Sequence, residues 1–434
     1  MGVQTVDQTG ATSRRRGWAA GYMLVLLCLI AVINYIDRQI MAILLQPIKE
    51  EFHASDTVMG LVVSTVFAAF FLAASIPIAR LADRYPRKIV VAAAVAFWSL
   101  MTSLGAVAAN VWQIMATRIG VAVAEAGAGP GSHSMVSDLF TVRSRGAAIA
   151  AIGGAQSLGV GLGVFLGGWL SDTFSWRISF MIVGLPGILL AAIFLLTTRE
   201  PTRGQSDQLV DSGETPTLME AFRTLWKYPS YRCAVLIVAI GGFYGYGILN
   251  WGPSFLRRAH SMSGTNVGIW FGVVVAVCLS IGNLTGGILG DFLARRDQRA
   301  YMWVAVIGQS LAFPCGLVFL LAPTWQMSIA GLAGYITFYT MYSPVCTILS
   351  QVLAPPRVRA TASVVLGMAT GFMGLLVAPF VIGAINDALT PQFGQAAIRY
   401  GLLFVIMTML PSILLAVLAM RWIRNDIAVS RARA

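Results

Sequence analysis

The sequence predicts an all-α membrane protein: twelve transmembrane helices in two pseudo-symmetric six-helix bundles. Three observations predict it. Of 434 residues, 57% are hydrophobic and 11% charged, against roughly 25% charged in a soluble domain. Apolar runs recur twelve times at about the ~20-residue length a bilayer demands. Charged motifs from the first half of the chain return in the second. In water such a chain would expose large apolar patches, which excludes a soluble enzyme and a disordered chain alike. The runs are of helix length, longer than the strands of a membrane barrel.

The elements follow in order. Residues 1–17 are an N-terminal tail carrying Arg14, Arg15 and Arg16. The apolar helix behind them is too long for a signal-peptide core and ends in no A-x-A site. Spans over 18–45, 58–81, 89–109, 113–137, 147–170 and 177–197 make a first bundle, 18–197. Residues 198–230 are a polar linker with Pro201, Gly204, Asp207, Asp211, Gly213, Glu214 and Pro216. Its last part, Leu218 to Trp226, predicts an amphipathic helix on the membrane surface. Spans over 231–256, 265–293, 301–322, 325–350, 360–385 and 398–422 make a second bundle, 231–422, and 423–434 is the C-terminal tail.

Of the 30 Lys and Arg residues, 23 fall on the side shared by the two termini and five on the other. The positive-inside rule then puts both termini in the cytoplasm, in a plasma (inner) membrane. The same rule accounts for the net charge of +12 without a nucleic-acid partner. Cys28, Cys233, Cys278, Cys315 and Cys346 lie in apolar stretches with no redox or metal spacing, so they read as packing residues. There is no H-E-x-x-H, Walker loop, G-x-S-x-G or His/Cys cluster. The sequence therefore predicts no enzyme, no metal and no cofactor, and any transport is not ATP-driven.

The halves repeat one another. Ala79-Arg-Leu-Ala-Asp83-Arg84-Tyr-Pro-Arg87-Lys88 follows span two, and Gly287-Ile-Leu-Gly-Asp291-Phe-Leu-Ala-Arg295-Arg296 follows span eight. Arg143-Ser-Arg145-Gly-Ala147 after span four matches Arg357-Val-Arg359-Ala-Thr361 after span ten. A duplicated six-helix unit points to a carrier whose two halves rock about a shared site. Asp83, Arg84, Arg87 and Lys88, with Asp291, Arg295 and Arg296 in the other half, then form a charge latch on the cytoplasmic side.

Four ionisable residues sit well inside spans: Asp37, Arg38, Arg118 and Glu125. Burying a charge in a bilayer costs at least about 2.5–3.5 kcal/mol, so function is the default reading. At about 1.5 Å per residue, Asp37 and Arg118 share a depth and can pair, and Glu125 lies two turns deeper on the face of Arg118. Asp37 and Glu125 are the expected proton carriers, with Arg118 as the switch, since a guanidinium does not release its proton. Arg38, about 100° round the helix from Asp37, is expected to bind an anionic group or brace the outer gate.

The second half offers Tyr244, Tyr246, Asn250 and Trp251 in span seven and Tyr335, Tyr339 and Tyr342 in span ten. The span-ten tyrosines fall at i, i+4 and i+7, on one face. Such a stripe is either packing or the lining of a cavity; with Arg38 and Arg118 opposite, a lining would suit an amphiphile. Tyr244-Gly-Tyr-Gly and Trp251-Gly-Pro253 let span seven bend. Gly159, Gly163 and Gly167, and Gly282, Gly286 and Gly290, mark close helix contacts. His133, after Gly129-Pro130-Gly131, reads as a hydrogen-bonded core residue or a proton relay.

Twelve spans, the central linker and the Asp83-Arg84-x-x-Arg87-Lys88 loop resemble the major facilitator superfamily. Ala79 and Pro86 stand where that family's loop usually has glycine. Asn34-Tyr-Ile-Asp37-Arg38, Arg118-x6-Glu125-Ala126, Ser137-Asp-Leu-Phe140 and Arg359-Ala-Thr361-Ala362 resemble its spinster branch. The resemblance implies a proton-coupled, alternating-access carrier of lysolipids or sphingoid phosphates. The same motifs are similar to the anion:cation symporters, which implies the alternative of a proton symporter of sugar acids; a non-transporting receptor is the reading from a different class. The expected partners are a small-molecule or lipid-like substrate, protons and the bilayer, and the expected state is a monomer.

Overall fold

The computed structural model describes residues 7–202, 218–355 and 358–433, and among them there is no strand. The first half holds α1 (Asp7–Phe52), α2 (Asp56–Gly60), a π-helical turn (Leu61–Thr65), α3 (Val66–Arg84), α4 (Arg87–Gly105), α5 (Val111–Leu139), α6 (Val142–Thr173) and α7 (Trp176–Thr197). The linker carries α8 (Leu218–Leu225), the helix expected there. The second half holds α9 (Pro229–His260), α10 (Gly264–Ala294), α11 (Ala300–Leu321), α12 (Trp325–Tyr339), α13 (Tyr342–Leu353) and α14 (Arg359–Gly371). A second π-helical turn (Phe372–Val377), α15 (Ala378–Phe393), α16 (Ala397–Met407), α17 (Met409–Ala419) and α18 (Ile423–Arg433) complete it. The twelve-helix class is as predicted. Among the described residues, nine stretches are long and apolar enough to cross a bilayer on composition alone, and one of them, Thr361–Ala419, holds two spans. The charge-bearing α5 and the broken α12–α13 make up the rest.

Helix starts are fixed by side-chain caps, each satisfying an otherwise orphaned N–H. Asn110 accepts from Gln113 N at 3.0 Å, Ser175 from Ile178 N at 3.3 Å and Thr324 from Met327 N at 3.4 Å. The tenth span departs from the single helix predicted over 325–350: it breaks between Tyr339 and Tyr342. Pro344 has no N–H for the Thr340 carbonyl. The Thr340 hydroxyl also donates back to Ile336 O at 2.9 Å, competing with the backbone ladder.

Two compact units emerge: Met1–Ile40, Ala69–Leu166 and Thr173–Asp211 in one, and Met41–Ala68, Gly167–Asp172 and Ser212–Ala434 in the other. Packing within each inverts the soluble pattern. In α10, Val273, Val277, Ile281, Leu284 and Ile288 are exposed, while Gly282, Gly286 and Gly290 are buried. A Cβ on Gly286 would stand 2.6 Å from Met341 O, and one on Gly290 2.6 Å from Val345 Cγ1. In the first unit, a Cβ on Gly159 would stand 2.6 Å from Val32 O, and one on Gly163 2.8 Å from Ile36 Cα. Small residues let backbones approach where lipid supplies no hydrophobic drive. The C-terminal tail is helical: Asp426 of α18 accepts from Ser230 N (2.9 Å) and Ser230 Oγ (2.6 Å), capping α9.

Candidate functional site

In the first unit α1 and α5 bring the four intramembrane charges together as two crossed ion pairs. Arg118 Nη1 stands 3.4 Å from Asp37 Oδ1, and Thr102 Oγ1 of α4 donates to the same oxygen at 2.9 Å. Arg38 Nε donates to Glu125 Oε2 at 2.7 Å. Its guanidinium carbon lies 5.3 Å from the ring centroids of both Tyr35 and Phe71. The pairing follows from helix geometry. Asp37 and Arg38, adjacent in sequence, point about 100° apart, while Arg118 and Glu125, two turns apart, share a face. Asp37, Arg118 and Glu125 are 1%, 2% and 3% exposed, whereas the Arg38 side chain retains 25%. Asp37 Oδ2 and Glu125 Oε1 accept no hydrogen bond among the described residues. The charges cancel pairwise, each carboxylate keeps one oxygen that accepts no hydrogen bond among the described residues, and Arg38 alone of the four retains appreciable accessible surface.

In the second unit the predicted aromatic residues assemble around Tyr244. Its ring meets Tyr339 at 5.6 Å and Tyr342 at 6.0 Å, both edge-on, and Tyr335 lies 4.9 Å from Tyr339. Tyr335 OH donates to Tyr244 O at 3.1 Å. The stripe stays on one face despite the break after Tyr339. Tyr244 and Tyr335 have no exposed surface and Tyr339 and Tyr342 only 5%, so in this conformation the cluster packs as core. Trp251 is fully buried, with Nε1 donating to Pro379 O at 3.2 Å. Tyr246, Leu249 and Asn250 are the half-buried residues of this stretch of α9.

The expected latch is organised by Arg87. Its buried guanidinium binds Asp138 Oδ2 (2.5 Å), Ser134 Oγ (2.7 Å), Glu200 Oε1 (3.0 Å) and Pro201 O (2.9 Å). Lys88 donates its backbone N–H to Glu200 Oε2 at 2.7 Å and its Nζ to Thr198 O at 2.9 Å. Arg84 is exposed, and the side chain of Asp83 lies outside the described residues, as do those of Arg143 and Arg359. Asp291, Arg295 and Arg296 are exposed and form no ion pair among the described residues. The pair at that end is Asp297 with Arg424 (2.7 Å), whose hydrogen bond holds the Asp297 carboxyl below the ordinary carboxylate range. His133 is exposed. No group of three or more His, Cys, Asp or Glu side chains gathers as a metal site among the described residues.

Sequence reasoning did not assign Thr102, Ser134, Asp138 and Glu200 to these networks. Asp138 and Glu200 lie at helix ends, where a charge costs little and draws no attention.

The Major Facilitator Superfamily profile matches residues 27–379. A protein of Mycolicibacterium smegmatis described as an MFS-type efflux pump is 31% identical over 407 residues, 93% of this chain and 92% of its own. The Danio rerio sphingosine-1-phosphate transporter SPNS2 is 27% identical over 389 residues, 85% of this chain and 76% of its own. Among solved structures, a bacterial homologue of the human lysosomal transporter spinster, inward-facing and unoccupied, superposes with a TM-score of 0.87. It is 27% identical, with 94% of this chain and 98% of that one covered.

Proposed function

The chain belongs to the major facilitator superfamily, in its spinster-like branch, and on that premise we propose a proton-coupled secondary transporter of anionic amphiphiles, lysolipids in kind, working by alternating access. The observation that carries this reading is the crossed pairing in which Arg38 alone keeps accessible surface while holding buried Glu125. An anionic head group that accepts from Arg38 competes with Glu125 for the same guanidinium. A buried carboxylate deprived of its counter-ion is neutral by preference, so Glu125 takes up a proton as the head group binds. Substrate and proton occupancy are thereby linked. Asp37, held by Arg118 and Thr102, is the second proton site, and a shift of Arg118 would release it. Tyr35 and Phe71 give Arg38 an apolar flank that favours an amphiphile over a fully hydrated sugar acid.

The named activity of the Danio rerio relative supports the substrate class. The chain works as a monomer in a plasma (inner) membrane with both termini cytoplasmic; 23 of the 30 Lys and Arg residues on the termini side support that orientation. The test is flux in proteoliposomes under imposed pH gradients of either sign, with a lysolipid series against hexuronates and galactonate. Expected is pH-driven movement of lysolipids that Glu125→Gln abolishes while the protein still purifies as a monodisperse peak. Uptake of sugar acids alone, or coupling intact in Glu125→Gln, overturns the proposal.

A further inference from the structure

The second unit contains one hydrogen-bond arrangement twice, atom for atom, at the ends of the spans farthest from the termini. Asp387, near the end of α15, accepts from Asp56 N at Oδ1 (2.8 Å), from Thr57 N at Oδ2 (2.7 Å) and from Thr57 Oγ1 at Oδ2 (2.5 Å). Asp172, at the end of α6, accepts from Gly264 N at Oδ1 (3.0 Å), from Thr265 N at Oδ2 (2.6 Å) and from Thr265 Oγ1 at Oδ2 (2.9 Å). Each carboxylate thus closes the first two orphan N–H groups of a helix in a different half of the chain, at the positive end of its dipole.

The surroundings repeat as well. Ser55 caps α2 through Val58 N and Ser263 caps α10 through Asn266 N, both at 3.2 Å. The residues that turn the chain into them, His53 and Ser261, have φ of 49° and 50°. A glycine four residues before each aspartate lets the backbones meet. A Cβ on Gly383 would stand 2.7 Å from Asp56 C, and one on Gly168 2.8 Å from Gly264 C. In sequence the device reads Ser-x-Thr at the start of spans two and eight, and Gly-x-x-x-Asp at the end of spans eleven and five.

The copies differ at the residue whose N–H meets Oδ1. Asp56 stands where the other has Gly264, and its carboxylate is neutralised by Arg258 (2.7 and 2.8 Å) and Lys49. A Cβ on Gly264 would stand 2.6 Å from Asp172 Oδ1. The clasp of spans two and eleven is therefore tied to α9 by an ion pair; at the other, Arg257 Nη1 of α9 lies close by, 3.1 Å from where a Cβ on Gly264 would stand, and forms no ion pair with Asp172 among the described residues.

We propose that Asp172 and Asp387 are twin clasps, inherited by duplication, that hold spans five to eight and eleven to two at the distal face and must release together for that face to open. The proposal rests on the alternating-access reading above. In each clasp a side chain from one half of the chain is shared with a backbone end of the other, so opening strands two N–H groups and a carboxylate at each place. Water satisfies both once they are exposed, which makes the clasp a reversible latch and not a permanent staple.

The test is the distance distribution between spin labels on Glu51→Cys and Gln392→Cys, read by pulsed electron resonance with the five native cysteines replaced by Ala. Asn keeps the shape of Asp but loses the charge and one acceptor. Loss of one N-cap corresponds to about fivefold in the open-to-closed ratio. Asp387→Asn should raise the long-distance population about that much, and Asp172→Asn, in the clasp remote from the labels, should do the same. Together they should give about 25-fold, since well-separated effects add in free energy. The remote effect separates a gate from a local helix cap: a shift with Asp387→Asn and none with Asp172→Asn overturns the twin-clasp assignment, as does an unchanged distribution in the double variant. If an Asn variant does not fold, Thr57→Ala and Thr265→Ala keep the charge, remove one donor each, and should shift the distribution the same way by less; no shift in either overturns the proposal. The measurement needs no substrate, so absence of lysolipid flux in the parent would sink the substrate assignment and leave the clasps to stand or fall on distance.

Discussion

Replacing Asp37 by Asn separates what the buried pair does for the fold from what it does for transport. Asp37 and Arg118 are 1% and 2% exposed, 3.4 Å apart. Asn matches Asp in size and keeps an oxygen for the Thr102 hydroxyl, now at 2.9 Å. What changes is the charge: Arg118 stays buried without the carboxylate it meets at 3.4 Å, while Glu125 is hydrogen-bonded to Arg38. Breaking a buried pair from one side costs about 3–5 kcal/mol. The lower end, about 3 kcal/mol, applies here, since the separation exceeds the ~2.7–2.9 Å of a strong charge-assisted bond and Thr102 is retained. Asp37→Asn combined with Arg118→Gln removes both charges, and such a replacement is often near neutral. The double variant should therefore regain most of the lost stability while pH-driven uptake stays absent in both. Thermal melting in detergent and uptake in proteoliposomes from the same preparation read the two quantities. A double variant no more stable than the single would refute the pairing argument; pH-driven uptake in the double variant would refute Asp37 as a proton carrier.

Other consequences are open to measurement. Arg38→Lys keeps the charge but loses the planar fork that holds Glu125, so binding of anionic amphiphiles by calorimetry should weaken by about tenfold, a loss of ~1.4 kcal/mol; unchanged affinity would remove Arg38 from the head-group site. Arg87→Ala takes the shared cation from Asp138 and Glu200 and should lower stability by about 3 kcal/mol, with Arg87→Lys rescuing little because an ammonium cannot meet four acceptors in a plane. Tyr335→Phe should cost about 1 kcal/mol for the bond to Tyr244 O. If the cluster opens to substrate during transport, Tyr339→Ala weakens long-chain lysolipids more than short ones, by up to ~0.8 kcal/mol per lost methylene contact. Asp297 is held ionised by Arg424, with its folded pKa below the ordinary value of 3.8. Its contribution to docking α18 should be complete above about pH 4 and disappear as pH falls through the depressed value. Hydrogen exchange in 423–433 reports it, and uniform protection down to pH 3 would count against the pair.

How much of this was legible beforehand depended on the cost of placing each residue. Asp37, Arg38, Arg118 and Glu125 stood out because a charge within a span is expensive, and helical rise alone put Asp37 and Arg118 at one depth. The pairing of Arg38 with Glu125 was not legible, since it needs the rotation of α1 against α5. The tyrosine stripe was correctly placed on one face, but helical periodicity cannot say what that face meets. In a bilayer, large apolar side chains face lipid and small ones face protein, so an aromatic face is equally at home in a core or a cavity. The break in the tenth span was written in Pro344 and Thr340, and a hydropathy reading passes over it because neither residue lowers the apolar content of the run.

Asp172 and Asp387 lie at the opposite extreme. A carboxylate at a membrane surface costs little, so neither draws notice alone, and the signal is in the spacing. Thr57 and Thr265 are separated by the same 208 positions as Asp83 and Asp291. The aspartates, 215 apart, nearly match the 214 between Arg145 and Arg359. A duplication preserves register within each pair of spans, so a contact between span five and span eight in one copy must reappear between span eleven and span two. Both copies show it, down to which carboxylate oxygen takes which donor. Asp56 against Gly264 is then the informative departure. It adds a negative charge at the mouth of one clasp, and Lys49 and Arg258 are the counter-charges that make it tolerable. Arg258→Gln should therefore loosen the clasp at Asp387 by leaving the buried carboxylate of Asp56, whose backbone N–H that clasp holds, with Lys49 as its remaining cation, and should leave the clasp at Asp172 bonded. The Arg258 and Asp56 side chains are buried, 7% and 1% exposed, so salt screens this pair little. The long-distance population between labels at 51 and 392 should rise in Arg258→Gln and fall back in Arg258→Lys, which keeps the charge. A rise that Arg258→Lys does not reverse would assign Arg258 a packing role against Trp251, whose ring centroid lies 6.0 Å from its guanidinium carbon, and not an electrostatic one.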